Sequence, residues 1–263
     1  MTHSTQDKAL FRFAHTLADE GGALLCSSFR KDTPYEKKDD GSLVTHVDKI
    51  VEKKIRERIR LAHPHHGIIG EEYPDENPDA EWVWCIDPLD GTTAFLAGSP
   101  LFGLLIGLAY RGKPLYGIID HPAQSERWCG GGNEPTSCAM PMPCVPRHTK
   151  TINRALMHAT TPHMFQPQHK PYIDALQKTC LAIRYGLDCY AYGLLVSGFI
   201  DIIAEATMKI GDYMALAPVV QASGATISDW HGKALNIKSD GTVLACCHQE
   251  LHERVLTLWH GKA

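Results

Sequence analysis

The chain has 263 residues, 44% of them hydrophobic and 21% charged, with a formal net charge of −4. These are ordinary values for a water-soluble chain with one sizeable core or two closely joined halves. The weak acidic balance argues against nucleic acid as a partner, because such binding needs a basic stripe. No apolar run approaches the roughly 18 residues of a membrane-spanning helix.

The first residues, Met1-Thr-His-Ser-Thr-Gln-Asp-Lys8, lack the basic-then-apolar order of a secretory leader, so a cytoplasmic location is expected. Nine cysteines are scattered without a C-x-x-C pair. They read as reduced thiols rather than as a disulfide scaffold or a zinc site. His63, His65 and His66 lie close together, but they precede an apolar strand-like run and read as a loop rather than a metal site.

In chain order, Leu10, Phe13, Ala14, Leu17, Leu24 and Leu25 have helical spacing and predict a first helix from about Thr5 to Phe29. Thr45 and Asp48 form a capping-box pattern ahead of a second helix reaching about Leu61, with Val47, Ile50, Val51, Ile55 and Ile59 on one face. Short apolar runs follow. Gly67–Gly70 and Trp82–Ile86 predict strands, and Phe102–Tyr110 and Leu115–Asp120 flank Arg111-Gly-Lys-Pro114 as a hairpin. Ser125–Cys129 adds another strand. Gly130 to His148, rich in Gly, Pro and Cys, reads as irregular chain joining an N-terminal α+β half (about 1–140) to a C-terminal α/β half (about 150–263).

The second half alternates strands (Asn153–His158, Leu181–Arg184, Ile200–Ala204, Val243–Cys246) with helices (Lys170–Thr179, Cys189–Ser197, Asp212–Ala222, and a last one to about Trp259). Pro218 is expected to kink its helix or to lie near the first turn. This alternation predicts a layered α/β arrangement.

Three acidic segments stand where a strand ends or a helix begins: Gly70-Glu71-Glu72, Asp87-Pro-Leu-Asp90-Gly-Thr-Thr93, and Gly211-Asp212-Tyr213. Functional groups concentrate at such places because rigid elements support them. Asp87 follows a buried-type run, and a carboxylate at the rim of a core strand needs a partner. Asp90 is three residues further on, a spacing that can aim two carboxylates at one hard cation such as Mg²⁺, Mn²⁺ or Ca²⁺. Gly91-Thr92-Thr93 at a helix start offers backbone N–H groups to a phosphate. The plainer reading of Asp-Pro and Asp-Gly is a turn. For Asp212 a helix cap is an equal alternative, and for Asp48 the cap is the better one.

Together, Gly-Glu-Glu, Asp87-Pro-Leu-Asp-Gly-Thr-Thr and the late Asp before a helix resemble the inositol monophosphatase family, as does Leu43-Val-Thr-His-Val-Asp48. The resemblance covers nearly the whole chain. It implies a layered α-β-α-β-α fold, usually a homodimer, acting as a magnesium-dependent phosphomonoesterase on a small phosphorylated substrate. By that resemblance Glu71, Asp87, Asp90 and the Leu89 carbonyl would be metal ligands, with Asp212 and Asp90 holding a second ion. Two or three Mg²⁺ ions are implied, with Mn²⁺ as a substitute. Gly91 and Thr92 would meet the phosphate, Glu71 and Thr92 would orient the attacking water with Asp90 beside them, and Asp48 would sit just behind the ligands.

Pro100-Leu-Phe-Gly-Leu-Leu-Ile-Gly, Gly117-Ile-Ile-Asp-His-Pro, Glu126-Arg-Trp, Asp188-Cys-Tyr-Ala-Tyr-Gly and Ser228-Asp-Trp resemble the histidinol-phosphatase branch of the family. That branch implies hydrolysis of L-histidinol phosphate, a step of histidine biosynthesis. Inositol-specific members typically carry Trp where this chain has Gly211. Glu205 falls where the family contacts the substrate alcohol. Asp188 is an added carboxylate suited to a cationic amine, with capping of the helix that follows as its other reading. Thr93 stands where histidinol phosphatases often have Arg or Lys, and Ala94 replaces the Asn usual in inositol enzymes. Inositol 1-phosphate or several small monoesters are the alternative substrates, and a catalytically silent binding protein on the same fold is the alternative from another class.

Overall fold

The computed structural model describes residues 5–38, 41, 43–132, 134–138 and 144–261. Helix α1 (Thr5–Ser28) buries Leu10, Ala14, Leu17, Ala18 and Leu25, the stripe that its sequence period sets out. Cutting Leu17 back to Ala would cost ~2–5 kcal/mol. A short antiparallel pair, β1 (Tyr35–Lys37) and β2 (Leu43–Thr45), leads into α2 (His46–Ala62). Thr45 caps α2 with its hydroxyl, and Asp48 returns a bond to the Thr45 N–H at 2.9 Å, completing the expected capping box. Val47, Val51, Ile55 and Ile59 are buried as expected, but Ile50 is 41% exposed, because it lies at the solvent edge of the stripe.

The first sheet has six strands in the order β3 (Gly67–Ile69), β4 (Trp82–Asp90), β5 (Gly103–Tyr110), β6 (Lys113–His121), β7 (Glu126–Gly131) and β8 (Glu134–Cys138). β3 and β4 are parallel and every other pair is antiparallel. The β5–β6 turn works because Arg111 and Gly112 both take positive φ, 49° and 73°. β8 corrects the expectation of irregular chain from Gly130 onward. Its polar, Pro-containing sequence suits an edge strand, where one side of the ladder is free. Residues 139–143 of that expected join lie outside the described residues.

The second sheet runs β10 (Ala182–Tyr185), β9 (Leu156–Ala159), β11 (Ile202–Glu205), β13 (Val243–Cys246), β12 (Thr226–Ser228). Between the sheets lie α5 (Tyr190–Val196) and α6 (Ile210–Ala222), while α4 (Lys170–Thr179) and α7 (Gln249–His260) cover the outer face of the second sheet. The result is the expected five-layer α-β-α-β-α stack. Adjacent residues of β4 feed opposite cores: Trp84 and Ile86 join α1 and α2, and Val83 and Cys85 join α5 and α6. That explains an unbroken apolar run where a one-sided sheet would alternate.

Helix α6 lies almost on the first sheet. A Cβ at Gly107 would come 2.9 Å from the Met214 and Ala215 backbone, and one at Gly117 would collide with the Ala215 carbonyl. Pro218 falls mid-helix rather than near the first turn, and its ring packs over Gly117 and Gly131. Gly211 closes the approach, since a Cβ there would lie 2.7 Å from the Ile86 carbonyl oxygen. The start of α6 therefore touches the end of β4, and the packing sets Asp212 beside Asp87.

Candidate active site

Strand β4 does not stop at Ile86 with a turn after it, as the Asp-Pro signal suggests. It runs on to Asp90, and its pairing with β5 slips by one residue between Asp87 and Asp90. Such a bulge re-aims side chains at a strand end. Asp87 is buried and accepts from the Leu89 N–H at 2.9 Å. Gly91, at φ 77°, then turns the chain into α3 (Thr92–Leu96), the helix start expected there.

Asp87, Asp90 and Asp212 each present a carboxylate oxygen within 4.8 Å of the others. Asp212 also accepts from the Lys209 N–H at 2.8 Å, so it caps α6 and faces the cluster at once. Burial, with Glu71, Asp212 and Asp90 nearby, pushes the Asp87 carboxyl well above the usual range. Burial and then Asp90 and Glu71 do the same to Asp212. Asp90 rises to about 7 through burial and then Asp188. Carboxylates crowded so closely call for a cation, and an all-oxygen donor set fits Mg²⁺ or Mn²⁺.

Glu71 stands just past β3, within hydrogen-bonding reach of the Asp87 carboxyl. Burial would raise its carboxyl, but Lys209 and Lys38 beside it bring it below the usual value. Lys209 forms an ion pair with Glu71, and the Lys38 ammonium lies 3.5 Å from Glu71 and 2.7 Å from Glu72. Neither lysine announces itself in the sequence, because each is distant along the chain from the carboxylate it meets.

Thr92 donates to the Leu89 carbonyl at 3.0 Å, and its hydroxyl lies 3.4 Å from Asp48. Asp48 thus sits behind the cluster as well as capping α2, and burial raises its carboxyl. Thr93 is exposed on α3 and lines no part of the cavity that holds Asp188 and Glu205.

That cavity, about 120 Å³, opens beside Asp90 and Asp212 and is lined by Asp188, Glu205, Thr160 and Tyr192 among others. Glu205, at the end of β11, is fully engaged. It accepts from the Thr160 N–H and hydroxyl at 2.8 and 2.6 Å and from the Tyr192 hydroxyl at 2.8 Å. Thr160 and Tyr192 are functional neighbours that sequence reading missed. The only signals are a Thr directly after a strand and a Tyr within a helix.

Asp188 is different. The N-cap position of α5 is taken by Cys189, so Asp188 stands one residue ahead of the cap that the sequence offered it. Its φ of 47° instead turns the chain so that the next N–H, of Cys189, donates to Asp90 at 2.6 Å. Burial and then Glu205 push the Asp188 carboxyl up to about 6.

The model of the inositol monophosphatase family matches residues 6–262. This chain belongs to that family. It is 35% identical to the bifunctional phosphatase IMPL2 of Arabidopsis thaliana over 268 residues, covering 97% of this chain and 77% of that protein. It is 29% identical to the histidinol-phosphatase of Chlorobaculum parvum, covering 89% of this chain and 91% of the relative. An inositol monophosphatase from Zymomonas mobilis superposes with a TM-score of 0.86 at 33% identity, over 97% of this chain and 99% of the other. The chain is therefore a phosphatase of this family, as its sequence motifs implied.

Proposed function

We propose that this enzyme is a magnesium-dependent phosphomonoesterase whose preferred substrate is L-histidinol phosphate. The observation that carries the choice of substrate is Asp188. It is a carboxyl without a hydrogen-bonding partner among the described residues, and it lines a small cavity beside the Asp87, Asp90 and Asp212 cluster. A neutral ring of hydroxyls offers such a group donors but no charge, whereas a primary ammonium supplies both.

Glu71, Asp87, Asp90, Asp212 and the Leu89 carbonyl would hold two or three Mg²⁺ ions, with Mn²⁺ as a substitute. Bound there, the ions would neutralise phosphate charge and make a water more acidic. The Gly91 and Thr92 N–H groups hold the phosphate end. Glu71 and the Thr92 hydroxyl, itself kept in place by the Leu89 carbonyl and Asp48, aim the attacking water. Glu205 is kept rigid by Thr160 and Tyr192 and borders the alcohol, and Asp188 takes the amine. Because water itself attacks phosphorus, no covalent phosphoenzyme forms, and the leaving oxygen receives its proton from water. The family resemblance adds a homodimer, which sedimentation would test.

The similarity to the Zymomonas mobilis enzyme favours myo-inositol 1-phosphate as a second reading. Phosphate release from each ester, with Mg²⁺ and with a chelator, tests both. The proposal expects chelator-sensitive release with a higher kcat/KM for L-histidinol phosphate. Release that ignores the chelator, or a clear preference for the inositol ester, would overturn it.

A further inference from the structure

Glu71 is anchored to a strand of only three residues and to a loop, Gly70 to Glu76, that returns to the sheet through one bridge between Ile68 and Glu76. Metal ligands need a firmer hold, because a carboxylate loses affinity when its backbone can drift. The hold comes from α2. Glu52 is completely buried, and its Oε2 accepts the N–H groups of Glu71 at 2.9 Å and Glu72 at 2.8 Å. Its Oε1 accepts from Arg56, one helical turn on, at 2.7 Å.

Arg56, 1% exposed, holds the rest of the loop. It donates to the Tyr73 and Pro74 carbonyls at 3.0 Å each and to the Glu76 carboxylate at 2.8 Å. One buried ion pair thus grips the loop from its first acidic residue to its last. The fit is tight, since a Cβ at Gly70 would come within 2.8 Å of the Arg56 guanidinium and collide with the Glu52 carboxylate.

The geometry points to Glu52 and Arg56 as positioning residues that fix the Glu71 carboxylate in the metal cluster, a role that rests on the metal reading above. A buried ion pair is a costly way to stabilise a fold, because two charges must be desolvated. This pair uses its remaining hydrogen-bonding capacity on a single loop, on its backbone and on the Glu76 carboxylate. Glu52→Gln separates that role from bulk. The amide keeps the size of the side chain, but it presents an NH₂ either to Arg56 or to the two N–H groups, so one side of the clasp meets donor against donor.

The test pairs Mg²⁺ binding by calorimetry on Glu52→Gln with amide hydrogen exchange on the metal-free wild-type protein. The variant is expected to keep its circular dichroism spectrum and bind Mg²⁺ roughly 10–100-fold more weakly, with Glu52→Asp, which restores the acceptors, recovering part of the loss. In the wild type the Glu71 and Glu72 amides should exchange far more slowly than those of Tyr73 and Asp75 in the same loop. Wild-type affinity in a folded Glu52→Gln protein would overturn the inference. So would Glu71 and Glu72 amides that exchange as fast as their loop neighbours, a measurement that stands even if the variant fails to fold. A wild-type protein that binds no Mg²⁺ would instead sink the metal reading, while the exchange data would still report the clasp.

Discussion

The two ends of the active site treat their carboxylates in opposite ways. At the β4 end, Asp87, Asp90 and Asp212 face one another, and burial with repulsion from neighbouring carboxylates, Asp188 in the case of Asp90, raises all three. At the β11 end, Glu205 has three donors within 2.8 Å. The first arrangement is unstable by itself and suits a cation that arrives from outside. The second is satisfied by donors of the protein itself. Asp188 lies between them, close to Glu205 in position and nearer to the cluster in its need for a positive partner.

The largest effect is expected at the crowded end. Asp87→Asn should lower phosphate release by about a thousandfold, since an ion's stabilisation of the transition state amounts to several kcal/mol. It should also raise the Tm of the metal-free protein, because a buried like charge is removed, by roughly 2–4 °C for each kcal/mol relieved. Calorimetric scans with and without Mg²⁺ check this, and a lower metal-free Tm would mean that the cluster is not strained.

Next comes Asp188→Asn, which keeps a residue tolerant of positive φ while removing the charge. KM for an amine-bearing ester should rise roughly 10–100-fold, the worth of one charge-assisted bond of ~1.5–3 kcal/mol. A simple alkyl phosphate should be hydrolysed as before. Equal losses on both esters would show Asp188 to be a backbone residue only.

Thr45→Ala should cost about 1 kcal/mol in chemical denaturation through the lost α2 cap. It should also lower kcat modestly, because Asp48 loses the group that holds it beside Thr92. An unchanged kcat would separate the cap from the site.

The smallest effect lies away from the site, in His66, which accepts from the Trp84 indole at 3.1 Å and stacks on His63. Burial lowers its imidazole to about 4, below the ordinary 6.5. The unfolded chain therefore takes up this proton first, and stability should fall as pH drops from 6.5 to 4. His66→Asn should flatten that part of the profile, and an unchanged slope would place the acid sensitivity elsewhere.

Much of this was legible in the sequence, for reasons that vary by element. The caps and long helices are local: Thr45 and Asp48 are three residues apart, so the α2 start could be read directly. The carboxylate motifs were legible because they sit at element ends. The β4 bulge was not, since Asp-Pro reads as a turn until β5 is laid beside it. Nor were β1, β2, β8 and β12, each of five residues or fewer and so too short for an alternation to show. The contacts of Lys38, Lys209 and Glu52 with the Glu71–Glu72 segment are long-range, and Glu52 sits with Asp48 and Arg56 among the apolar residues on the buried side of α2, where a charged residue reads as solvent-facing. Gly211 could be read as a missing Trp, but only the packing shows that it lets Asp212 reach Asp87.

The most direct test of the account is the ratio of kcat/KM for L-histidinol phosphate to that for myo-inositol 1-phosphate, measured with saturating Mg²⁺ in the wild type and in Asp188→Asn. The account predicts a ratio well above one that collapses towards one in the variant, through loss on the amine ester alone. A ratio that is the same in both proteins would contradict it, and would leave Asp188 as the turn that delivers the Cys189 N–H to Asp90.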